Sequence, residues 1–320
     1  MRFLDPKSKT LSLLVRTSDM EGHARVFDVR GYLRVARVPF LALPVTLTFV
    51  GAAASVYAGE FDALHTSLSL VGLVLLTASV NSINDYSDWR SGIDNETEPT
   101  KFSGGSGAVT EGELAPKGAL VFGLATLFVS FVIGLYFLYV YGAVMVPLIL
   151  AGGLLVVGYT DMFARLGFGE VSAGLGLGAL PVVGVGLVQS GSLSDAVLAV
   201  SVVPFFSTFN LLLLNEFPDL KADIGGGRKN LIILLGERRA KLLYVAFCAL
   251  AGVAVVAFST TGVFPVTCLV AVVGFVPLYR PVGACLRNDE ITEDALAGNV
   301  AWVLGTNVLL AAGFMLSSVF

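Results

Sequence analysis

Two short stretches of this sequence carry residues that could hold a charged ligand. "NDYSD" (Asn84–Asp88) and "NEFPD" (Asn215–Asp219) share one pattern: Asn, an acid, an aromatic, any residue, Asp. On a helix, Asn84 and Asp88 stand four apart and share a face, while Asp85 and Asp88 stand three apart. In the second copy Asn215, Asp219 and Asp223 step by four down one face. Each copy therefore offers an oxygen-rich edge. Two such edges facing one another suit a hard divalent cation such as Mg2+, which takes oxygen ligands and fills its shell with water and phosphate oxygens.

Cations stand close to both motifs. Lys221, Arg228 and Lys229 follow the second, Arg90 sits just beyond the first, and Arg34 and Arg37 come shortly before an apolar run. Carboxylates for a metal combined with cations for phosphate suit an anionic diphosphate. A diphosphate at a membrane surface with its hydrocarbon in the bilayer is a polyprenyl diphosphate. Blander readings compete residue by residue. One acidic cluster at a helix end is ordinarily a solvated loop, and it is the second copy with matching spacing that argues against this. Arg34, Arg37, Lys221, Arg228 and Lys229 read as topology determinants or as phosphate ligands. The "GGSG" of Gly104–Gly107 reads as a plain flexible loop before it reads as a backbone nest for phosphate. Asp161 is a site residue or part of a helix-end loop. Tyr159 lines the cavity or anchors at the interface.

The elements that must position these residues are membrane helices. The chain of 320 residues is 55% hydrophobic and only 14% charged, against about 25% charged in soluble domains. A net charge of −4 gives nucleic-acid binding no support, and two histidines and three cysteines leave little for a transition-metal site. Cys248, Cys268 and Cys285 are far apart, two of them in apolar runs, and read as core filling. No signal peptide is expected, because "LSLLV" (Leu11–Val15) is too short and is flanked by charge. A helix needs about 20 apolar residues to cross the bilayer core. Nine such runs are expected, over 39–58, 66–84, 118–140, 142–160, 171–189, 195–215, 242–259, 262–279 and 295–318.

All 20 Lys and Arg fall before the first of these runs or after an even-numbered one. The positive-inside rule then puts the N-terminus and the motif-bearing loops in the cytoplasm, in a multi-pass protein of the cytoplasmic membrane. The two motifs end spans two and six. Four spans separate them, an even number, so the repeat is parallel: a duplicated four-helix unit plus a ninth helix. Residues 1–30 are expected to form a cytoplasmic N-terminal segment and 31–320 one polytopic domain. The glycine-rich fifth span, "GLGLGALPVVGVG", is expected to permit close helix packing and to leave room for a bulky substrate.

These residues resemble the UbiA superfamily of intramembrane aromatic prenyltransferases, whose members have nine membrane helices and two aspartate-rich motifs, N-D-x-x-D-x-x-x-D and D-x-x-x-D. "NEFPDLKAD" supplies the second in full as Asp219-x-x-x-Asp223. The first departs from the pattern: Gly92 stands where the third acid is expected, and the acid is displaced to Asp94. That form is similar to the 1,4-dihydroxy-2-naphthoate polyprenyltransferase branch, as are "YT" (Tyr159–Thr160), "LGFGE" (Leu166–Glu170), "GGGRKNLIILLG" (Gly225–Gly236) and "RVP" (Arg37–Pro39).

The resemblance implies an all-α fold around a central cavity open to the cytoplasmic side. It implies Mg2+ bound by Asp85, Asp88, Asp94, Asp219 and Asp223, with Asn84 and Asn215 orienting ligands or binding through their amide oxygens. It implies a polyprenyl diphosphate donor and an aromatic acceptor, 1,4-dihydroxy-2-naphthoate in menaquinone biosynthesis. 4-Hydroxybenzoate, homogentisate, a geranylgeranylglyceryl phosphate, heme and another electron carrier remain open as acceptors. From another class, an ion-coupled transporter is the main alternative. Against it, transporters place charged groups near the midplane and many have inverted repeats.

Overall fold

The computed structural model describes residues 29–92, 104–158, 163, 166–225 and 227–318. Asp94, Tyr159 and Asp161 lie outside the described residues. Among the described residues the regular structure is helical throughout. A short helix α1 (Val29–Val35) leads through a 3-10 turn (Val38–Leu41) into α2 (Ala42–Tyr57) and α3 (Ala63–Ser91). Next come α4 (Pro116–Tyr141), α5 (Val146–Gly158) and α6 (Gly169–Ser190), the last interrupted by a π-helical turn at Leu175–Ala179. Helix α7 (Asp195–Gly225), a one-turn α8 (Leu231–Leu235), α9 (Glu237–Thr260), α10 (Val266–Arg287) and α11 (Glu293–Ser317) complete the chain. The first half of α10, Val266–Leu278, is wound as a 3-10 helix.

Among the described residues, eight helical stretches are long and apolar enough to cross a membrane. One of them, Pro116–Val156, runs for 41 residues, about 60 Å if it were straight and twice the ~30 Å hydrocarbon core. It is not straight. Gly142 has φ 67° and ψ −146°, a conformation that only glycine adopts cheaply. Leu127 of α4 and Val156 of α5 line one common groove, which a continuous helix of that length could not allow. The stretch therefore crosses twice, as α4 and α5, giving nine crossings among the described residues. The order is α2, α3, α4, α5, then α6, α7, α9, α10, then α11. A motif-bearing helix stands second in each set of four.

The two motif helices are the longest among the described residues, at 29 and 31 residues, or about 44 and 46 Å. Each is about three turns longer than the ~30 Å core requires, and its carboxylates sit on its closing helical turns rather than in a following loop. Local chemistry fixes the ends of α3. Asp62 caps its first turn by accepting from His65 N at 2.8 Å. Gly92 closes it in the left-handed conformation at φ 82°.

Lipid is as apolar as leucine, so small residues and interhelical hydrogen bonds hold membrane helices together. An added Cβ on Gly178 of α6 would stand 2.5 Å from the Pro204 carbonyl oxygen of α7, and one on Gly186 only 2.4 Å from Val197 Cγ1. The glycines at these two positions let α6 pack directly on α7, as the sequence suggested. A buried polar ring ties α7, α9 and α11 together. Asn210 Nδ2 donates to the Tyr244 carbonyl at 2.9 Å, Tyr244 OH to Asn299 Oδ1 at 2.9 Å, and Asn299 Nδ2 to the Asn210 carbonyl at 3.1 Å. Cys248, Cys268 and Cys285 are buried and free, filling the core of the second half. Large apolar side chains such as Phe128, Leu150, Val253 and Val273 point outward, as lipid requires.

Candidate active site

The two motif helices face one cavity of about 230 Å³. Asn84 and Asp88 of α3 line it on one side, with Asn215, Glu216, Asp219 and Asp223 of α7 on the other. The expected four-residue stepping is therefore realised on both helices. Asn84 Nδ2 donates to Asp88 Oδ2 at 2.8 Å, one turn away on the same face. Toward the middle of the bundle the walls turn apolar, with Leu43, Val80, Ala173, Leu177, Leu211 and Val303. The site is thus polar at the motif end and greasy beyond it.

Arg228 joins the two motifs. Its Nη2 donates to Asp88 Oδ1 and its Nη1 reaches Asp223 Oδ1 at 3.5 Å. Asp223 also accepts from Asn230 Nδ2 at 2.9 Å. Asn230 in turn caps α8, accepting from Ile233 N at 2.9 Å. Arg228 and Asn230 therefore present one guanidinium and one amide to the carboxylates just before α8 starts. Lys229 also lines the cavity.

Asp85 takes a different place from Asp88. It is buried and does not line the cavity. Its Oδ1 accepts from Arg37 Nη2 at 2.8 Å and from Ser106 N at 3.3 Å, and its Oδ2 accepts from the Ser106 hydroxyl. Arg37 lines the cavity and holds a left-handed backbone, φ 51° and ψ 57°, at the turn into the first span. So Asp85 orients Arg37 and docks the "GGSG" loop, whose Gly104 and Gly105 form part of the cavity wall.

Nor is that loop free-running. Arg34 Nη1 donates to Glu111 Oε2 at 2.7 Å and to Glu113 Oε1 at 2.5 Å, and its Nη2 donates to the Ser106 carbonyl at 2.8 Å. The hydrogen bond and charge of Arg34 hold the Glu111 carboxyl below the usual range. Reciprocally, the Glu111 hydrogen bond raises the guanidinium further above its ordinary value. At Gly107 (φ 74°), an added Cβ would stand 2.5 Å from Glu111 Oε1. Arg34 thus latches the loop and does not line the cavity. Lys221 is exposed and lies outside the lining as well.

Several residues of the site are not evident from the motifs alone. Glu216 is the motif acid equivalent to Asp85, yet it lines the cavity. It stands beside Glu170 of α6, and the Oε2 atoms of both are buried. Glu170 Oε1 accepts from Leu231 N at 2.6 Å, tying α6 to α8. Ser106 and Asn230 complete the set. Asn230 carries a readable signal, a capping residue just before an apolar run; Ser106 carries none.

As they stand, no three Asp, Glu, His or Cys side chains among the described residues come together closely enough to hold a metal ion. The donor set is nonetheless all oxygen, as Mg2+ requires. The buried Glu216 carboxyl, crowded by Glu170 and Asp223, also stands where a cation would relieve it. The residues fit such an ion, with Asp88, Asp219 and Asp223 lining the same cavity.

Residues 44–317 match the UbiA prenyltransferase family. The chain belongs to that family. It is therefore a membrane prenyltransferase, which sets the transporter alternative aside. Among UbiA relatives, it is 30% identical over 293 residues to a digeranylgeranylglyceryl phosphate synthase of Natronomonas pharaonis, covering 90% of this chain and 96% of the relative. It is 26% identical over 237 residues to a 1,4-dihydroxy-2-naphthoate octaprenyltransferase of Bacillus subtilis, covering 69% and 73%. The fold is similar to that of a solved UbiA homolog from Archaeoglobus fulgidus bound to GPP and Mg2+. There the TM-score is 0.58 and the identity 17%, over 89% of this chain and 98% of that one.

Proposed function

We propose that this protein transfers a polyprenyl group from polyprenyl diphosphate to an acceptor in an Mg2+-dependent reaction, with 1,4-dihydroxy-2-naphthoate as the acceptor. The observation that carries the reading is the two-ended cavity. Asp88, Asp219 and Asp223 face one another at its polar end beside Arg37, Arg228 and Lys229, and apolar walls follow immediately. That matches a ligand with an anionic head and a hydrocarbon tail. The solved UbiA homolog bound to GPP and Mg2+ supports the same donor and metal.

Mg2+, when bound, supplies positive charge to the diphosphate oxygens. Arg37, Arg228 and Lys229 neutralise the charge that builds on the leaving diphosphate as the allylic C–O bond breaks. Asn84 and Asn215 orient the carboxylates and the head group. The apolar walls exclude water from the allylic cation until an electron-rich ring attacks it. With dihydroxynaphthoate, attack at the carboxyl-bearing carbon is followed by loss of CO2. The distribution of Lys and Arg supports a cytoplasmic N-terminus and a site that opens to the cytoplasm.

A second reading has its own support. A relative that is 30% identical, matched over 96% of its length, is a digeranylgeranylglyceryl phosphate synthase, which makes a geranylgeranylglyceryl phosphate the competing acceptor. Membranes containing the protein, Mg2+, labelled polyprenyl diphosphate and both acceptors, alongside 4-hydroxybenzoate and homogentisate, separate the two. The expected product is prenylated naphthoate, lost in Asp88→Ala and Asp219→Ala. Product with the glyceryl phosphate alone would overturn the acceptor. No product with any acceptor would overturn the reaction.

A further inference from the structure

Every carboxylate oxygen of Asp88 and Asp223 accepts a hydrogen bond from the protein. Asp88 Oδ2 accepts from Asn84 Nδ2 at 2.8 Å, and Asp223 Oδ2 from Asn230 Nδ2 at 2.9 Å. Both Oδ1 atoms go to Arg228, one to each arm of its guanidinium. The guanidinium therefore lies between the motifs, in the place that a divalent ion held by both would take. Two cations within about 4 Å of each other repel, and the more so where water is scarce. Resting on the proposed Mg2+ and diphosphate, we propose that Arg228 is a placeholder for the metal. Its guanidinium leaves Asp88 and Asp223 before the ion is held between the motifs, and the incoming diphosphate is the anion that draws it away.

Arg228 is placed to move its side chain while its backbone stays. Its N–H donates to the Asp223 carbonyl at 2.9 Å, which ties it to the last turn of α7. The side chain is 22% exposed, against 7% for Asp88 and 6% for Asp223. Its reach to Asp223 is also long, at 3.5 Å, so one of its two holds is weak. The amides are placed differently. Asn84 stands on the same helix as Asp88, and Asn230 is fixed as the cap of α8. Releasing either amide would open one carboxylate only, whereas releasing Arg228 opens one oxygen on each motif at once. Arg228 also lines the cavity, where its planar fork can turn from carboxylate to phosphate, the other anion that it matches.

The consequence is coupling between the two ligands. Alone, the ion meets carboxylates whose charge is already compensated. Its apparent Kd is the intrinsic one divided by the fraction of molecules in which the guanidinium has moved off. A guanidinium in place for all but about a tenth of the time weakens the ion about tenfold. Diphosphate raises that fraction, and by reciprocity the ion strengthens diphosphate binding by the same factor.

The test measures Mn2+ binding without diphosphate, from the electron paramagnetic resonance signal of the unbound ion. Arg228→Gln is expected to bind Mn2+ about tenfold or more tighter than the wild type. Arg228→Lys keeps the positive charge, which covers the case of an Arg228→Gln protein that does not fold. One ammonium cannot bridge two carboxylates as the fork does, so its affinity should lie between the two. Lys229→Gln removes an exposed charge from the same cavity and should tighten binding by less than about threefold. Mg2+ alone should also raise Tm further in Arg228→Gln than in the wild type. Mn2+ binding no tighter in either Arg228 variant than in the wild type, or absent from all the proteins, would overturn the inference. A Lys229→Gln effect as large as that of Arg228→Gln would overturn it too, since charge alone would then suffice. The reaction is read separately. Prenylated product from the wild type with equal Mn2+ affinities would remove the placeholder and leave the reaction standing. No product, with Mn2+ bound tighter in the Arg228 variants, would do the reverse.

Discussion

Replacing Arg228 with glutamine removes the cation that joins the two motifs. The carboxylates it touches are nearly buried, with side-chain exposures of 7% for Asp88 and 6% for Asp223. Removing one partner from a buried ion pair costs about 3–5 kcal/mol, because the remaining charge stays buried. Here each carboxylate keeps an amide donor, Asn84 for Asp88 and Asn230 for Asp223. The contact to Asp223 is also long, at 3.5 Å. The loss therefore belongs at the low end, about 3 kcal/mol. For a chain of this size that is a fall in Tm of about 6 °C, at roughly 2 °C per kcal/mol. The assay is thermal unfolding of the detergent-solubilised protein in EDTA, so that no divalent ion substitutes for the guanidinium. Asp88→Asn in the same background should recover about 1–2 kcal/mol, since the residues are coupled. Arg228→Gln melting within a degree of the wild type in EDTA would refute the reasoning, and the carboxylates would then be compensated by something other than Arg228.

Three further outcomes follow from the same geometry. Asn230→Ala removes the α8 cap and a donor to Asp223, and should cost about 2–4 kcal/mol in the same melt, with prenyl transfer reduced. Gly178→Ala drives a methyl group to 2.5 Å from the Pro204 carbonyl and should cost about 1–3 kcal/mol by overpacking, seen as a lowered Tm. The Arg34–Glu111 latch should depend on pH in one direction only. The Glu111 carboxyl is held below its ordinary value, so the latch is fully present above the unfolded-state value and is lost as pH falls through the lowered folded-state value. Protection factors of residues 104–114, corrected for the intrinsic pH dependence of amide exchange, should therefore stay flat from neutral to mildly acidic pH and fall only in stronger acid, with Arg34→Gln already lowered at neutral pH.

The sequence alone carries the architecture and the poles of the site. Apolar runs of about 20 residues, basic residues confined to one set of loops, and a motif repeated four spans apart all act locally or by simple counting. They lead to nine crossings and to two oxygen-rich helix ends. The four-residue step then puts Asn84 with Asp88, and Asn215 with Asp219 and Asp223, before any packing is known. What the step cannot fix is the rotation of each helix about its axis, which depends on its neighbours. Asp85 and Glu216 hold the same position in the two motifs, yet Asp85 turns to Arg37 and Ser106 behind the cavity while Glu216 lines it. Arg34 looks like a phosphate ligand until the loop some 77 residues on brings Glu111 and Glu113 to it. The "GGSG" stretch looks flexible until Asp85 and Arg34 hold it. The glycines divide in the same way. Gly178 and Gly186 admit a neighbouring helix, whereas Gly134, Gly152 and Gly153 face empty space, and only the assembled bundle separates the two uses. Helical periodicity is a property of the chain; which face meets a partner, a ligand or nothing is a property of the packing.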